Sequence, residues 1–196
     1  MPISVDHDAR RREVAEIAAR LVARFGVEGV SIRDVAQAAG CSTTIVSHYF
    51  KNKRELLLFT FREAAQRSVA RVAALPKQAS LQAHLELLLP LTDALRSDWK
   101  VWIAFWSWVE TDREFAREQV KRARLARELI QRLLNDQKEQ GLLDSAVDSD
   151  FEARRLLTAV VGISTQGIFD PKEWSPKRQR ALLAAEIAAI PGTRGG

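Results

Sequence analysis

The sequence has a single cysteine, Cys41, and three histidines among its 196 residues. One cysteine cannot form an intrachain disulfide, which is typical of a reducing compartment. The histidines are widely spaced and make no zinc-binding pattern, so we expect neither a metal ion nor another cofactor. No apolar run approaches the roughly 18 residues of a membrane helix, and the first residues, MPISVDHDARRR, lack the apolar core of a signal peptide. We therefore expect a cytoplasmic protein with no membrane partner.

The charge balance favours an acidic partner. The formal net charge is +5 and the sequence pI is about 9.7. A basic protein attracts polyanions such as nucleic acids. A chance excess of lysine and arginine on a solvated surface would explain the same numbers, so charge alone leaves both interpretations open.

Helical periodicity runs through the whole chain, and no convincing stretch alternates apolar and polar residues as a half-buried strand does. In the first predicted helix, Val14, Ile17, Leu21 and Phe25 form one apolar stripe. Gly26, Gly40 and Gly141 are placed to end helices. The pattern predicts an all-α fold of about nine helices, over residues 8–25, 31–38, 42–49, 52–74, 80–95, 98–110, 112–139, 149–169 and 175–190.

Two short helices follow the first one in the register of a helix-turn-helix. Counted from Ile32, a small alanine stands fifth, at Ala36, where two helices cross closely, and Gly40 stands ninth, at the turn. Apolar residues at the fourth, eighth, tenth and fifteenth positions face a small core, which makes Cys41 a packing residue. These helices therefore predict a DNA-reading unit with its second helix over residues 42–49.

Polar side chains cover the other face of that second helix, in the stretch AGCSTTIVSHYFKNKREL. Short hydroxyls can bind phosphates or base edges in the major groove, and threonine methyls can contact thymine. Helix starts with a nearby cation hold phosphate through free backbone N–H groups. As helix caps or a solvated face, the same side chains would need no ligand. We predict DNA contacts from Ser31, Arg33, Ser42, Thr43, Thr44, Ser47, His48, Tyr49 and Lys53.

The segment GVEGVSIRDVAQAAGCSTTIVSHYFKNKRELL resembles the DNA-binding segment of the TetR family of transcriptional regulators. Threonine at position 44 and serine at position 47 depart from the glycine and tyrosine of many members. The run STTIVSHYF is instead similar to the BetI-like branch of the family. The resemblance implies a reader domain over residues 8–68 and a regulatory and dimerisation domain over 69–190. The composition of residues 191–196, PGTRGG, predicts a flexible tail.

The resemblance also implies how such a protein works. Members are homodimers whose two readers bind one palindromic operator in double-stranded DNA. A small molecule bound by the C-terminal domain changes the spacing of the readers and releases the DNA. The expected function is thus a ligand-responsive transcriptional regulator, most simply a repressor.

Four of the five tryptophans cluster in DWKVWIAFWSWVE, residues 98–110. Helical spacing places three of the indoles on one face, as either core packing or the wall of a ligand pocket. Indole faces bind ammonium groups, so an organic cation or a large apolar compound is the expected effector. The predicted ligand contacts are His84, Trp99, Trp102, Phe105, Trp106 and Glu110; for His84, a position in the core is the competing interpretation.

The helix over residues 149–169 is apolar nearly all round from Leu156 to Ile168, as expected for a helix buried on two sides. Small residues along it allow another helix to approach closely. Together with the last helix it predicts a two-fold, four-helix dimer interface. The predicted interface residues are Leu156, Val160, Gly162, Ser164, Gly167, Leu183 and Ile187.

Three other functions compete with a ligand-controlled repressor. The first is an activator or a DNA-binding protein without ligand control, and the second is a DNA-compacting protein without sequence preference. The third is an enzyme that uses the aromatic pocket. No nucleophile–base pair, paired carboxylate or phosphate-binding loop supports catalysis, so we expect no enzymatic activity.

Overall fold

The structure is a computed structural model that describes residues 7–191, and these residues form helices joined by turns, without any β-strand. The all-α prediction is confirmed. Phe105 alone separates the helices Asp93–Ala104 and Trp106–Val109, which together correspond to the one predicted helix over residues 98–110. The helices are α1 (His7–Phe25), α2 (Ile32–Ala38), α3 (Thr43–Tyr49), α4 (Lys53–Ala73), α5 (Leu81–Glu86), α6 (Asp93–Ala104), α7 (Trp106–Val109), α8 (Arg113–Glu139), α9 (Ser149–Phe169) and α10 (Pro176–Ala188).

Glycine ends the helices where the sequence predicts it. Gly26 after α1 has a φ of 74° and Gly141 after α8 a φ of 73°, in the left-handed region that glycine reaches without strain. In the turn between α2 and α3, Gly40 has a φ of 62°. Residues 192–196 of the predicted tail lie outside the described residues.

The predicted fifth helix, 80–95, is wrong in its second half. α5 ends at Glu86, and residues 87–92 are not helical. Pro90 is the reason, since proline has no N–H for a helical hydrogen bond and disfavours helical geometry at the residue before it. The Thr92 hydroxyl then accepts a hydrogen bond from the Leu95 amide at 3.3 Å. This cap starts α6 at Asp93, earlier than the predicted Asp98.

The described chain forms two compact units. The first contains the residues up to Gln66 together with Lys100–Ala116, and the second contains Arg67–Trp99 together with the residues from Arg117 onward. Helices α4, α6 and α8 each contribute residues to both units, so they are the covalent connections between them. The boundaries 8–68 and 69–190 stay a prediction.

The first unit has an aliphatic core under α1–α3 and an aromatic core beside it. Val14, Val35 and Val46 are completely buried. Phe61 of α4 lies with its ring centroid 5.2 Å from that of Phe105 and 6.1 Å from that of Phe115. Each of these three rings is at most 2% exposed. The break between α6 and α7 thus places Phe105 in the core of the first unit.

The second unit is built on α8, α9 and α10, with Ile130, Leu134, Leu156 and Leu183 completely buried. α9 and α10 pack closely at Gly167. A Cβ atom there would lie 2.7 Å from the side-chain nitrogen of Gln179, which itself donates a hydrogen bond to the Trp174 carbonyl at 2.8 Å. A larger residue at this position would have to displace the Gln179 amide, so Gly167 contributes to the close packing of α9 and α10 within one chain.

Candidate functional site

The turn between α2 and α3 has the local structure of a helix-turn-helix. The Ser31 hydroxyl accepts a hydrogen bond from the Asp34 amide at 3.2 Å, and the Asp34 carboxylate accepts one from the Ser31 amide at 2.8 Å. This reciprocal pair is a capping box. The Ser31 hydroxyl also donates a hydrogen bond to the Asp34 carboxylate at 2.6 Å, and this bond, followed by the one from the Ser31 amide, lowers the pKa of Asp34. The Ser42 hydroxyl accepts from the Ile45 amide at 3.4 Å and caps α3. Ser31 and Ser42 thus hold the ends of the two helices.

The outer face of α3 is exposed to solvent in the described chain. Thr43, Thr44, Ser47 and His48 are all exposed, while Val46 on the opposite side is completely buried. Tyr49 at the end of the helix is half-buried. The structure therefore brings the predicted base-reading residues together on one accessible surface, and α3 is the candidate recognition helix.

His7 joins this surface, although it is absent from the residues predicted above. Its ring centroid lies 5.4 Å from that of His48 and 5.6 Å from that of Tyr49. The rings of His48 and Tyr49 are 5.4 Å apart. Because His7 is 41 positions before His48 in the chain, only the packing of α1 against α3 reveals the cluster.

Ile45 is a second exposed residue of α3 outside the predicted set. It is 42% exposed although it is large and apolar. A signal for it exists in the sequence, since position 45 falls outside the positions that face the helix-turn-helix core. A branched apolar side chain on a recognition helix can contact a thymine methyl group.

Lys53 and Arg33 flank the recognition helix as the predicted cations. Arg33 at the start of α2 is exposed. Lys53 begins α4, where its ammonium group donates a hydrogen bond to the Glu28 carbonyl at 3.3 Å and lies 3.9 Å from the Glu28 carboxylate. The same carboxylate accepts a hydrogen bond from the Trp108 indole at 2.8 Å. Lys53 is therefore held in place and still has donors for a phosphate.

The residues predicted to line one aromatic ligand wall divide between the two units. Trp102, Phe105 and Trp106 belong to the first unit, and Trp99 to the second. Phe105 is completely buried among phenylalanine rings. Trp106 is half-buried, its ring centroid lies 6.3 Å from that of Trp102, and its indole nitrogen is enclosed without a hydrogen-bond acceptor. Trp106 therefore retains a polar atom that a ligand could satisfy.

The remaining predicted ligand contacts are a surface residue and two side chains of the second unit. Glu110 is exposed at the end of α7. His84 is 4% exposed, and its Nδ1 atom lies 3.0 Å from the Ser80 carbonyl oxygen. The Trp99 indole donates a hydrogen bond to the Leu88 carbonyl at 2.7 Å. His84 is therefore a core residue with a hydrogen-bond partner in the described structure, as the competing interpretation of this histidine predicted.

A cluster of arginines around Asp98 is the feature of the second unit that the sequence did not predict. Asp98 accepts hydrogen bonds from Arg71 at 2.6 Å and from Arg67 at 3.4 Å. Arg71, Asp98 and Arg122 line one small cavity. These residues come from three different helices, so no spacing in the sequence joins them.

Most residues of the predicted dimer interface are buried by their own chain. Leu156, Val160, Ser164, Gly167 and Leu183 are inaccessible within the second unit, Ile187 is half-buried, and Gly162 is exposed. The open face of α9 consists of Gly162 with Phe151, Arg154, Thr158, Gln166 and Phe169. Phe151 and Phe169 are 59% and 66% exposed. The surface that α9 offers to a partner is thus this open face.

The described residues also bear on metal binding and membrane insertion. No group of three or more histidine, cysteine, aspartate or glutamate side chains among them is arranged to hold a metal ion. None of the helices within residues 7–191 is long and apolar enough to cross a membrane.

An accessible polar recognition helix, held by two capped helix starts and a glycine turn, defines a DNA-binding protein of the helix-turn-helix class. Residues 15–58 match the family model of bacterial regulatory proteins of the tetR family, and residues 76–192 match that of the BetI-type transcriptional repressor, C-terminal. The chain therefore belongs to the TetR family of transcriptional regulators, with a BetI-type C-terminal region.

Individual relatives agree with this assignment. The chain is 29% identical over 197 residues to the HTH-type transcriptional regulator PksA of Bacillus subtilis strain 168, covering 97% of this chain and 94% of the relative. It is 30% identical to the HTH-type transcriptional regulator BetI of Vibrio vulnificus strain YJ016, covering 89% and 88%. A solved regulator from Saccharomonospora viridis, in complex with choline, matches with a TM-score of 0.79 and 26% identity over 93% of this chain and 97% of that one. These relatives are regulators and not enzymes.

Proposed function

We propose that this regulator is a repressor that binds a palindromic operator as a homodimer and is released by a small molecule. The exposed face of α3 is the observation that carries the proposal. Its threonine, serine and histidine side chains are accessible together, while Val46 anchors the helix in the core. A helix that served packing alone would not present this row of hydrogen-bonding groups to solvent.

The proposed contacts fall into two groups. Thr43, Thr44, Ser47 and His48 read base edges, because they occupy the open face of the recognition helix. The remaining residues position the reader on phosphates, which supplies affinity without sequence preference. These are Ser31, Arg33, Ser42, Tyr49 and Lys53, and we add His7 because its ring lies beside that of Tyr49.

We propose a dimer because one reader contacts only one half-site of a palindrome, so two readers are needed for the whole operator. Two recognition helices enter successive major grooves when they lie about 34–36 Å apart. We place the dimer interface on the open face of α9, together with α10. Exposed Gly162 permits close helix approach, and exposed Phe151 and Phe169 provide apolar area.

We also propose that the protein is cytoplasmic, because its proposed binding site lies in genomic DNA.

The effector binds residues 69–190 in this proposal and weakens operator binding. An organic cation and an apolar compound are the two classes that the tryptophans favour, and a relative of this chain is solved with choline. Coupling requires the effector to prefer the form of the dimer that does not fit the operator. Helices α4, α6 and α8 can transmit this preference, since each contributes residues to both units.

Selection of genomic DNA fragments by the purified full-length chain, followed by sequencing and footprinting at moderate salt, tests the proposal. We expect a palindrome protected on two half-sites, with two chains bound per duplex. Fragments without a shared sequence would contradict specific repression and would leave a non-specific DNA-binding protein. A palindrome bound by one chain would contradict the dimer.

The sign of regulation has a separate test. A reporter gene placed behind the recovered palindrome should be less active when the protein is present. Deletion of the palindrome should restore expression to the level without protein. Increased expression in the presence of the protein would show an activator instead.

A further inference from the structure

The turn between α1 and α2 holds the ammonium group of Lys53, which begins α4. This group donates a hydrogen bond to the Glu28 carbonyl at 3.3 Å and lies 3.9 Å from the Glu28 carboxylate. The Lys53 side chain is 31% exposed. An ammonium group has three N–H donors, so one can be engaged by Glu28 while the others remain for a ligand.

The Glu28 side chain is in turn held by α7. Its oxygen Oε1 accepts a hydrogen bond from the Trp108 indole at 2.8 Å, whereas its oxygen Oε2 is the one near Lys53. The Glu28 side chain is 83% exposed, so packing contributes little to its position. The hydrogen bond from Trp108 therefore fixes where this carboxylate lies.

Trp108 is itself anchored in the aromatic core of the first unit. Its ring meets that of Phe115 edge to face, with the centroids 5.1 Å apart. Phe115 is completely buried and stacks on Phe105 at 5.3 Å. Glu28, Lys53 and these three aromatic residues all belong to the first unit. One continuous series of contacts thus leads from the buried rings to the ammonium group of Lys53.

We propose that Glu28 and Trp108 are positioning residues for the contact between Lys53 and a DNA phosphate. A lysine side chain loses conformational freedom when it binds a phosphate. Part of this loss already occurs on folding when Glu28 holds the ammonium group, so binding to DNA costs less free energy. The inference rests on the proposed function, because it takes Lys53 to contact a phosphate of the operator.

The charge of Glu28 has an effect of the opposite sign. A carboxylate beside Lys53 also repels a phosphate that approaches the same lysine. Because the Glu28 side chain is largely exposed, water and salt screen this repulsion. The backbone carbonyl of Glu28 lies closer to the ammonium group and carries no net charge. We therefore expect the gain from positioning to exceed the loss from repulsion.

A double-mutant cycle on DNA binding tests the role of Trp108. Trp108→Phe removes the indole N–H and keeps an aromatic ring beside Phe115. It should weaken binding of the full-length protein to the selected operator and to an unrelated duplex by about threefold or more, as expected for one lost hydrogen bond. In the Lys53→Ala background, the same substitution should change both affinities by less than about twofold, because the positioned group is absent.

Fluorescence anisotropy of labelled duplexes at one salt concentration measures the four affinities of the cycle. An equal loss in both backgrounds would overturn the proposal, since Trp108 would then act without Lys53. The matched control is Trp174→Phe, which replaces a half-buried tryptophan of the second unit and should leave both affinities unchanged.

Two substitutions of Glu28 separate its position from its charge. Glu28→Ala removes the acceptor of the indole N–H and should weaken binding as Trp108→Phe does, without a further loss when the two are combined. Glu28→Gln keeps a side-chain oxygen for the indole and should bind DNA at least as tightly as the wild type. A loss in Glu28→Gln equal to that in Glu28→Ala would contradict the proposal, because charge and not position would then hold Lys53.

Nitrogen-15 NMR relaxation of the Lys53 ammonium group provides a measurement without DNA. The order parameter of this group should decrease in Trp108→Phe and in Glu28→Ala, and it should keep its wild-type value in Trp174→Phe. An order parameter that stays unchanged in the first two variants would show that neither residue positions Lys53.

The combined results distinguish failure of the inference from failure of the proposed function. If Lys53→Ala weakens binding to all sequences and Trp108→Phe does not, the phosphate contact stands and the positioning role is wrong. If Lys53→Ala leaves DNA binding unchanged while Trp108→Phe lowers the order parameter, the proposed phosphate contact is wrong, although Trp108 and Glu28 still hold Lys53.

Discussion

At the scale of single residues, the reader separates side chains that specify sequence from side chains that position the helix. Thr44 is exposed on the open face of α3. Lys53 begins α4, and its ammonium group is held at the Glu28 carbonyl. Base contacts decide which sequence is bound, and phosphate contacts decide how tightly any sequence is bound. Substitutions at these two positions should therefore have different effects.

Lys53→Ala should weaken binding to all DNA sequences by a similar factor, because a phosphate contact carries no sequence information. The slope of log affinity against log salt should decrease by about one for each chain. Fluorescence anisotropy at several salt concentrations measures both quantities. The matched control is Lys177→Ala, which removes an exposed lysine of α10. An unchanged slope for Lys53→Ala would mean that this lysine does not reach a phosphate.

Thr44→Ala should instead relax the preference at one base pair in each half-site. Loss of a base contact reduces discrimination there by up to about 1–3 kcal/mol. Affinity for operators altered at that base pair should approach affinity for the parent operator. Binding to a set of single-base operator variants measures the change. A uniform loss over the whole set would place Thr44 among the positioning residues.

A second residue-scale feature is the ion pair between α4 and the start of α8 in the first unit. Asp112 accepts hydrogen bonds from Arg54 at 2.5 and 2.8 Å, and Arg54 also donates to Glu114 at 2.9 Å. The hydrogen bond from Arg54 lowers the pKa of Asp112 from 3.8 to about 2. The carboxylate therefore stays ionised in the folded protein at pH values where it would be protonated in the unfolded chain.

This shift predicts a dependence of stability on pH. A lowered pKa stabilises the folded state above the unfolded value of about 4, and this contribution is lost as the pH falls toward 2. Asp112→Asn should therefore lower the free energy of unfolding at pH 6 by about 1 kcal/mol, as for a partly exposed pair. The difference from wild type should shrink between pH 4 and 2.5, as measured by urea unfolding. A difference that is constant over this range would show that Asp112 acts through packing or capping alone.

At the scale of elements, the break between α6 and α7 assigns different roles to neighbouring aromatic residues. Phe105 at the break is completely buried, with its ring centroid 5.3 Å from that of Phe115. Trp106 is half-buried, with an enclosed indole nitrogen that lacks an acceptor. Phe105 supports the core of the unit that contains the reader, whereas Trp106 retains an indole N–H that an effector could engage.

Phe105→Ala should reduce the free energy of unfolding by about 3–5 kcal/mol, as expected when a fully buried phenylalanine is truncated. Trp106→Ala should cost less stability and should abolish effector-induced release while operator binding persists. Urea unfolding and operator binding with and without effector measure the two effects. Equal loss of operator binding in both variants would mean that Trp106 is also only a core residue.

At the scale of the whole molecule, dimerisation depends on the open face of α9. Gly162 lies on this face, and a Cβ atom there would meet no other atom of the chain within 4 Å. Its lack of a side chain is thus unexplained by packing within one chain. Gly167 differs, because it contacts Gln179 of the same chain. The two glycines of α9 therefore serve different interfaces in this proposal.

Gly162→Arg should convert the dimer to monomers and weaken operator binding, because a long charged side chain would be buried between two helices. Analytical ultracentrifugation measures the change in mass. The control is Gly162→Ala, which should leave the dimer nearly intact and stabilise α9 by up to about 1 kcal/mol. A dimer that survives the arginine substitution would place the interface elsewhere.

Local chemistry explains which parts of the structure were predictable. Periodic apolar residues predicted most helices, and Ser31, Ser42 and Gly40 predicted the reader, since caps and turns depend on neighbours in the chain. The missed helix end before Pro90 was a local signal too. His7 was different, because its contact with His48 forms only when α1 and α3 pack together.

The sequence by itself determined the all-helical class, the helix-turn-helix register and the family of this protein. Each depends on spacing over a few residues, where backbone geometry leaves little choice. Tertiary structure alone decided that Phe105 is core, that α9 presents Gly162 and not Leu156, and that three arginines surround Asp98. These outcomes depend on which faces of distant helices meet, and helical periodicity places a residue on a face without naming its neighbour.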